Sequence, residues 1–264
     1  MKSFSIASGK GGVGKTSFVI NLALALSKLG KRVLIFDADL GLANVDIMLG
    51  ISPKFDIRYV INGTLTLKDI IHETEHGFSV IPAGSGVLEL TQLSSNQKLL
   101  LRAQMEEAFS PFDYLFFDIS AGISDNVLFF SQLADERIVL LTPEPTSMAD
   151  AYAYLKVLYK KSKIKDFNLI VNMTRDEEEG KKVYYQLLYV IEKFLPEIRL
   201  ELLGILPYDE CVKRAIRSQI PYLIYCPEAR ISVKIKEIAY KFLNRKSIKK
   251  EKAIEEFLER FSTL

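Results

Sequence analysis

Gly9-Lys10-Gly11-Gly12-Val13-Gly14-Lys15-Thr16 satisfies the pattern G-x-x-x-x-G-K-[ST]. Its flanks decide how it is read. Ser3 to Ser8 alternates small polar and apolar residues as a strand does, and Lys15 to Leu29 repeats apolar residues at helical spacing. Strand, glycine loop and helix in that order make a cradle for phosphate. The glycines let the backbone turn its N–H groups inward, and the helix N-terminus adds positive potential. Lys15 is placed to reach the β and γ phosphates, Thr16 can hold Mg²⁺, and Ser17 follows in the first helical turn. Gly9 through Ser17 are therefore the expected phosphate-binding residues.

Outward from this loop, short β-like runs alternate with longer helical stretches. Strands are expected near Ser3 to Ser8, Arg32 to Asp37, Phe78 to Pro82, Tyr114 to Asp118, Arg137 to Leu141, Phe167 to Val171 and Leu202 to Leu206. Helices are expected over Lys15 to Leu29, Gln92 to Phe109, Ser124 to Leu133, Thr146 to Tyr159, Glu177 to Phe194 and Ser232 to Leu243. The alternation predicts an α/β fold, a mostly parallel twisted sheet with helices on both faces. One such domain is expected over residues 1–243, with a basic linker and a C-terminal amphipathic helix over 244–264. In folds of this class ligands bind outside the carboxyl ends of the strands.

Three acids stand at such ends. Ile35-Phe36-Asp37-Ala38-Asp39 carries two carboxylates on one face of a strand, and Tyr114-Leu115-Phe116-Phe117-Asp118 has four apolar residues and then an acid, a Walker B pattern. Phosphoryl transfer needs a metal clamp and an oriented water, and acids beside a phosphate loop suit both.

Lys10 places a second lysine inside the loop. With Gly11-Gly12-Val13-Gly14-Lys15-Thr16 it resembles the MinD/ParA family of deviant Walker A ATPases. The resemblance implies that Lys10 reaches a partner's nucleotide, so that ATP joins two copies of the chain. It assigns Asp39 to the attacking water, Asp37 and Asp118 with Thr16 to the metal shell, and Asn172, Pro207 and Asp209 to adenine. Longer stretches, Asp37-Ala38-Asp39-Leu40-Gly41-Leu42-Ala43-Asn44-Val45-Asp46, Pro82-Ala83-Gly84-Ser85-Gly86 and Thr142-Pro143-Glu144-Pro145-Thr146-Ser147-Met148-Ala149-Asp150-Ala151-Tyr152, are similar to the FlhG/FleN group of flagellar number and placement ATPases. The implied cofactors are ATP and Mg²⁺. The implied partners are a second copy, the flagellar GTPase FlhF, and a flagellar transcription regulator or switch-complex protein. The first strand begins within a few residues of Met1, so FlhF activation through a preceding N-terminal segment is not expected. A MinD-type division role, a nonenzymatic ATP-toggled regulator and a DNA-partition role stay open as alternatives.

Composition narrows these alternatives. A formal charge of +2 from 35 basic and 33 acidic residues gives no global attraction to nucleic acid, and Lys156, Lys160, Lys161, Lys163 and Lys165 lack a recognition motif, so DNA is not the expected partner. No signal peptide and no run of eighteen apolar residues occur, which predicts a cytoplasmic protein. In the tail, Ile254, Phe257, Leu258 and Phe261 make one apolar stripe preceded by Arg245, Lys246, Lys249, Lys250 and Lys252. That pattern suits an anionic membrane surface, although Glu255, Glu256 and Glu259 oppose it and docking on the chain's own domain competes. His72-Glu73-Thr74-Glu75-His76 matches H-E-x-x-H, but Gly77 and a strand follow at once, so a solvated turn is expected rather than zinc. Cys211 and Cys226 are too far apart in sequence for a Cys-x-x-Cys pair or a cluster-ligand set, and packing or surface cysteines in a reducing compartment are expected.

Overall fold

Leu34-Ile35-Phe36 and Leu115-Phe116-Phe117 are apolar at successive positions, the pattern of strands covered on both sides. In the computed structural model, which describes residues 1–84 and 92–244, they are the central strands of a sheet. In chain order the elements are β1 (Lys2–Ala7), α1 (Lys15–Lys28), β2 (Val33–Ala38), α2 (Val45–Leu49), α3 (Ile57–Ile61), β3 (His72–Glu73) and β4 (Ser79–Ile81). They continue through α4 (Ser95–Phe109), β5 (Tyr114–Ile119), α5 (Asp125–Leu133), β6 (Glu136–Leu141), α6 (Pro145–Ser162) and β7 (Asp166–Thr174). The described chain ends with α7 (Glu177–Phe194), β8 (Arg199–Pro207), α8 (Glu210–Arg217), α9 (Tyr222–Tyr225) and α10 (Arg230–Asn244).

The strand order is β3-β4-β2-β5-β1-β6-β7-β8, and every pairing is parallel except β3 with β4. Side chains alternate between two cores, as the period of a strand requires. Leu34, Phe36, Leu115 and Phe117 face the layer built with α4, α5, α6 and α7, whereas Ile35 and Phe116 face α1, α8, α9 and α10. The parallel order carries all the strand-to-helix loops of β1, β2, β5 and β6 to one edge, and that edge is where the loops converge.

Local chemistry fixes the helix ends. Ser94 and Gln97 form a reciprocal capping box on α4, and the Asp176 side chain accepts the Glu179 N–H at the start of α7. Arg137 closes the opposite end of α5. Its buried guanidinium donates to the carbonyls of Ser131 and Gln132, orphan acceptors of the last turn, and to those of Ala134 and Asp135 just beyond it. At the far end of the sheet Phe242 packs on Phe4, Tyr114 and Phe116, and burial of such a ring is worth about 1.5–3 kcal/mol. Because Tyr114 opens β5 and its hydroxyl donates to the Phe242 carbonyl, α10 ends on the side away from the loop edge.

Some expectations need revision. His72-Glu73, expected within a solvated turn, is instead a two-residue antiparallel edge strand paired with β4, and the turn begins at Glu75. The short helices α2, α3, α8 and α9 join the long ones anticipated from periodicity. Cys211 and Cys226 meet as a disulfide pair with Cα atoms 6.6 Å apart, because α8 and α9 fold back on each other. The linker, the amphipathic stripe and Ser85-Gly86 lie outside the described residues. Among the described residues no helix is long and apolar enough to cross a membrane.

Candidate nucleotide site

The glycine loop links β1 to α1 at the convergent edge. Gly12 and Gly14 have φ of 77° and 93°, the left-handed region that glycine adopts without strain. At Gly14 a side chain is excluded twice, since a Cβ would also lie 2.6 Å from Nδ2 of Asn172. That amide nitrogen donates to the Val13 carbonyl at 2.8 Å, so the end of β7 props the loop. Gly9 backs directly onto the Asp150 main chain of α6. The loop is thus a bent strip of backbone, pinned from behind on both sides.

In front of it lies a cavity of about 470 Å³. Gly11, Gly12, Gly14, Lys15, Thr16 and Ser17 form its floor, and Asp39 and Asp118 stand beside them. The far wall comprises Asn172, Pro207 and Asp209 with Val212 and Tyr222 from α8 and α9. Most of the expected site residues therefore converge on one space. Val13 does not, because its side chain is buried in the core below. Asn172 and Asp209 line the wall but already have structural work, the first on the Val13 carbonyl and the second capping α8 through the Cys211 N–H.

Asp37 also departs from expectation. Its carboxylate accepts the N–H groups of Asp39, Asn44 and Val45 at 3.1, 3.0 and 3.1 Å, and it does not line the cavity. It organises the loop that carries Asp39. Strand register sets it directly beside Asp118. Burial first, and then that neighbouring charge, push the Asp37 carboxyl well above the usual carboxylate range.

Asp118 is buried, and its Oδ1 has no hydrogen-bond partner among the described residues. Burial pushes its carboxyl up to about 6, against the opposing pull of the Thr16 hydroxyl and the Lys15 ammonium. An orphaned buried carboxylate oxygen next to a threonine hydroxyl suits a small, hard, oxygen-seeking cation. Mg²⁺ needs only one or two such protein ligands, because phosphate and water complete its shell. Thr16 and Asp118 would hold it.

This arrangement makes a test in the ligand-free protein. The folded pKa of Asp118 lies above its unfolded value, so this group's contribution to stability is greatest at low pH and falls as pH rises from 3.8 toward about 6. That upward shift is worth about 3 kcal/mol at full ionisation. Asp118→Asn should therefore be more stable than wild type near neutral pH by roughly 1–3 kcal/mol in urea titrations, with the gain shrinking as pH falls through the folded pKa. A variant less stable than wild type at about pH 8 would show that the carboxylate is not held against its preference.

Lys15 is half-buried in the cavity floor, where its Nζ donates to Ser8 Oγ at 2.9 Å. Burial lowers its pKa, while Asp118 and Asp39 hold it up. Asp39 is half-buried just past the end of β2, raised by burial and pulled back by Lys15. Lys10 behaves differently. It turns away from the cavity and pairs with Glu144, the N-cap of α6, at 2.5 Å on the surface. Glu144 escaped the reading of the sequence, as did Ser8. Both follow or end strands at the crevice edge, the one signal that would have found them.

Residues 1–243 match the family described as ParA: NUBPL iron-transfer P-loop NTPase. The antiactivator FleN of Pseudomonas aeruginosa is 38% identical over 237 residues, 90% of this chain and 84% of FleN. This chain belongs to the MinD/ParA family of P-loop ATPases, in its FlhG/FleN branch. The flagellum site-determining protein YlxH of Helicobacter pylori is similar to this FlhG/FleN-type chain at 35% identity over 239 residues, 90% of the chain and 80% of YlxH. The septum site-determining protein MinD of Pyrococcus horikoshii, solved with Mg-ADP, shares the fold of this MinD/ParA member with a TM-score of 0.76 at 22% identity, covering 91% of this chain and 95% of that one.

Proposed function

We propose that this FlhG/FleN-type chain is a cytoplasmic, ATP-dependent dimerising switch that hydrolyses ATP slowly and controls the number or placement of flagella at the inner membrane surface. The observation that carries the reading is Lys10. A basic side chain in the middle of a phosphate loop, 43% exposed and paired with Glu144 outside its own cavity, serves a nucleotide other than the one bound by its own loop. Leu42 and Ile123 support a covered face there. They are 72% and 49% exposed, on the loops that carry Asp39 and follow Asp118, and the same two loops line a second, shallow recess. A second copy laid over this edge would bury both side chains and bring its Lys10 to the opposite phosphates.

In this reading the glycine loop and Lys15 hold the triphosphate, and Thr16 and Asp118 would hold Mg²⁺, which would neutralise charge on the phosphates. Asp39 orients the attacking water, and Asp37 keeps the Asp39 loop in register through its three backbone contacts. Asn172, Pro207 and Asp209 line the adenine end. Hydrolysis releases the second copy, and with it the clients, for which FlhF, a flagellar transcription regulator and a switch-complex protein are the proposed classes. Iron transfer is not carried over from the family's description, since it would need thiolate ligands and this chain has only Cys211 and Cys226, which pair with each other.

The proposed membrane contact is the segment 244–264, with residues 1–243 as the ATPase domain. One apolar stripe binds a bilayer marginally, and two in a dimer gain from effective concentration. Co-sedimentation with anionic liposomes, with ADP or a nonhydrolysable ATP analogue, tests this for the full chain and for a chain truncated after Asn244. Binding only with the ATP analogue, lost on truncation, is the expected result. Equal sedimentation with both nucleotides, or none with either, would remove the membrane switch and favour a switch acting on soluble protein partners.

A further inference from the structure

We infer that Cys211 and Cys226 are a reversible thiol modification site that controls the adenine-side wall of the nucleotide cavity. The chain has two cysteines, and the fold brings them together from positions fifteen apart in sequence. Their Cα separation of 6.6 Å lies within the range that a disulfide spans without backbone movement. Between them run α8 and α9, and this enclosed segment supplies Val212, Lys213, Ile216 and Tyr222 to the cavity.

The two ends of the segment are held very differently. On the α9 side the Leu223 N–H donates to Asn21 of α1 at 2.9 Å, and Ser232 of α10 donates to the Cys226 carbonyl at 2.8 Å. That end is fixed to the helix that follows the phosphate loop. By contrast, α8 is eight residues long and buries only Cys211 and Ala215. With the half-buried Val212, these are its apolar anchors, so one of the three is the cysteine itself. A bond from Cys211 to Cys226 ties the more exposed wall to the fixed one, next to Asp209, whose carboxylate caps the same first turn of α8. Tyr222 adds a reason for the wall to matter to a ligand, since its buried hydroxyl has no hydrogen-bond partner among the described residues and it lines the cavity.

The chemistry closes with a low-molecular-weight disulfide such as oxidised glutathione. Cys226 is half-buried and Cys211 is buried, so the Cys226 thiolate attacks first, forming a mixed disulfide and releasing one glutathione thiolate. Cys211, as thiolate, then displaces the second glutathione. Two protein thiols lose two electrons and two protons in all, and one oxidised glutathione becomes two reduced molecules. The bridged wall opens less often, and release of a bound nucleotide past a wall is limited by its opening.

The inference rests on the nucleotide-site reading, and the test separates the two. The full chain is equilibrated in oxidised or reduced glutathione, digested without reduction, and assayed in parallel for dissociation of a fluorescent ADP analogue. Expected are a peptide linking Cys211 to Cys226 in the oxidised sample alone, dissociation slowed by about five-fold or more, and reversal by dithiothreitol. Cys226→Ser, at the half-buried position, should release the analogue at one rate in both buffers. Glutathione retained on Cys226 without the link, or equal release rates with the link formed, would overturn the inference. A reduced protein that binds no ADP analogue would overturn the nucleotide-site reading and the proposed control with it, while the linked peptide would still report on the thiols.

Discussion

Lys15→Ala is expected to weaken Mg-ATP binding by about 10²- to 10³-fold, corresponding to about 3–4 kcal/mol. The magnitude follows from what surrounds the side chain. Lys15 is half-buried, and its ammonium sits near Asp118 and Asp39, which hold its charge in place against partial burial. Removing it deletes charge-assisted hydrogen bonds to the terminal phosphates, each worth about 1.5–3 kcal/mol. It also leaves two carboxylates facing a triphosphate with less positive charge between them. The fold should survive, because Lys15 opens α1 and a positive charge at a helix N-terminus opposes the helix dipole. Titration with a fluorescent ATP analogue, alongside a thermal melt showing an intact fold, measures the loss. A folded Lys15→Ala protein that binds ATP like wild type would sink the site assignment.

Much of this site is legible in the sequence alone, for a physical reason. Phosphate recognition is local: the residues from Gly9 to Ser17 carry their own geometry, since glycine frees the backbone and the strand and helix on either side fix its direction. Strand ends are legible too, because consecutive apolar residues followed by an acid mark where a buried strand emerges, as at Asp118. Contacts across the sheet are not. Asn172 beneath Val13, Asp150 behind Gly9 and Glu144 on Lys10 join positions more than a hundred residues apart, and no periodicity links them. Asp37 shows the same limit at short range. Two acids at alternate positions predict a shared face, but β2 ends at Ala38, and the chain then turns so that Asp39 meets the cavity while Asp37 captures three backbone N–H groups of the turn. The short helices α8 and α9 escape because four to eight residues are too few to show a helical period. With them goes the meeting of Cys211 and Cys226, which depends on how that pair of helices folds back.

Asp39→Ala is the sharper test, because it should separate binding from turnover. Asp39 is half-buried among the residues lining the cavity, with its charge set against Lys15, whereas Thr16 and Asp118 are the pair that suits Mg²⁺. Truncation also removes a negative charge from beside the phosphates, so ATP affinity should hold or rise. Turnover should fall by about 10²- to 10⁴-fold, the usual worth of a group that positions or deprotonates a reacting water. If dimers last until hydrolysis, the variant should then accumulate as an ATP-bound dimer, resolved from the monomer by light scattering after size exclusion. Asp37→Ala provides the contrast, since loss of its three backbone acceptor contacts should loosen the whole loop and lower affinity and turnover together. An Asp39→Ala protein with wild-type turnover would move the water-orienting role elsewhere. One with no turnover and no dimer would detach dimerisation from the ATP state, leaving the Lys10–Glu144 pair a surface contact with no switching role.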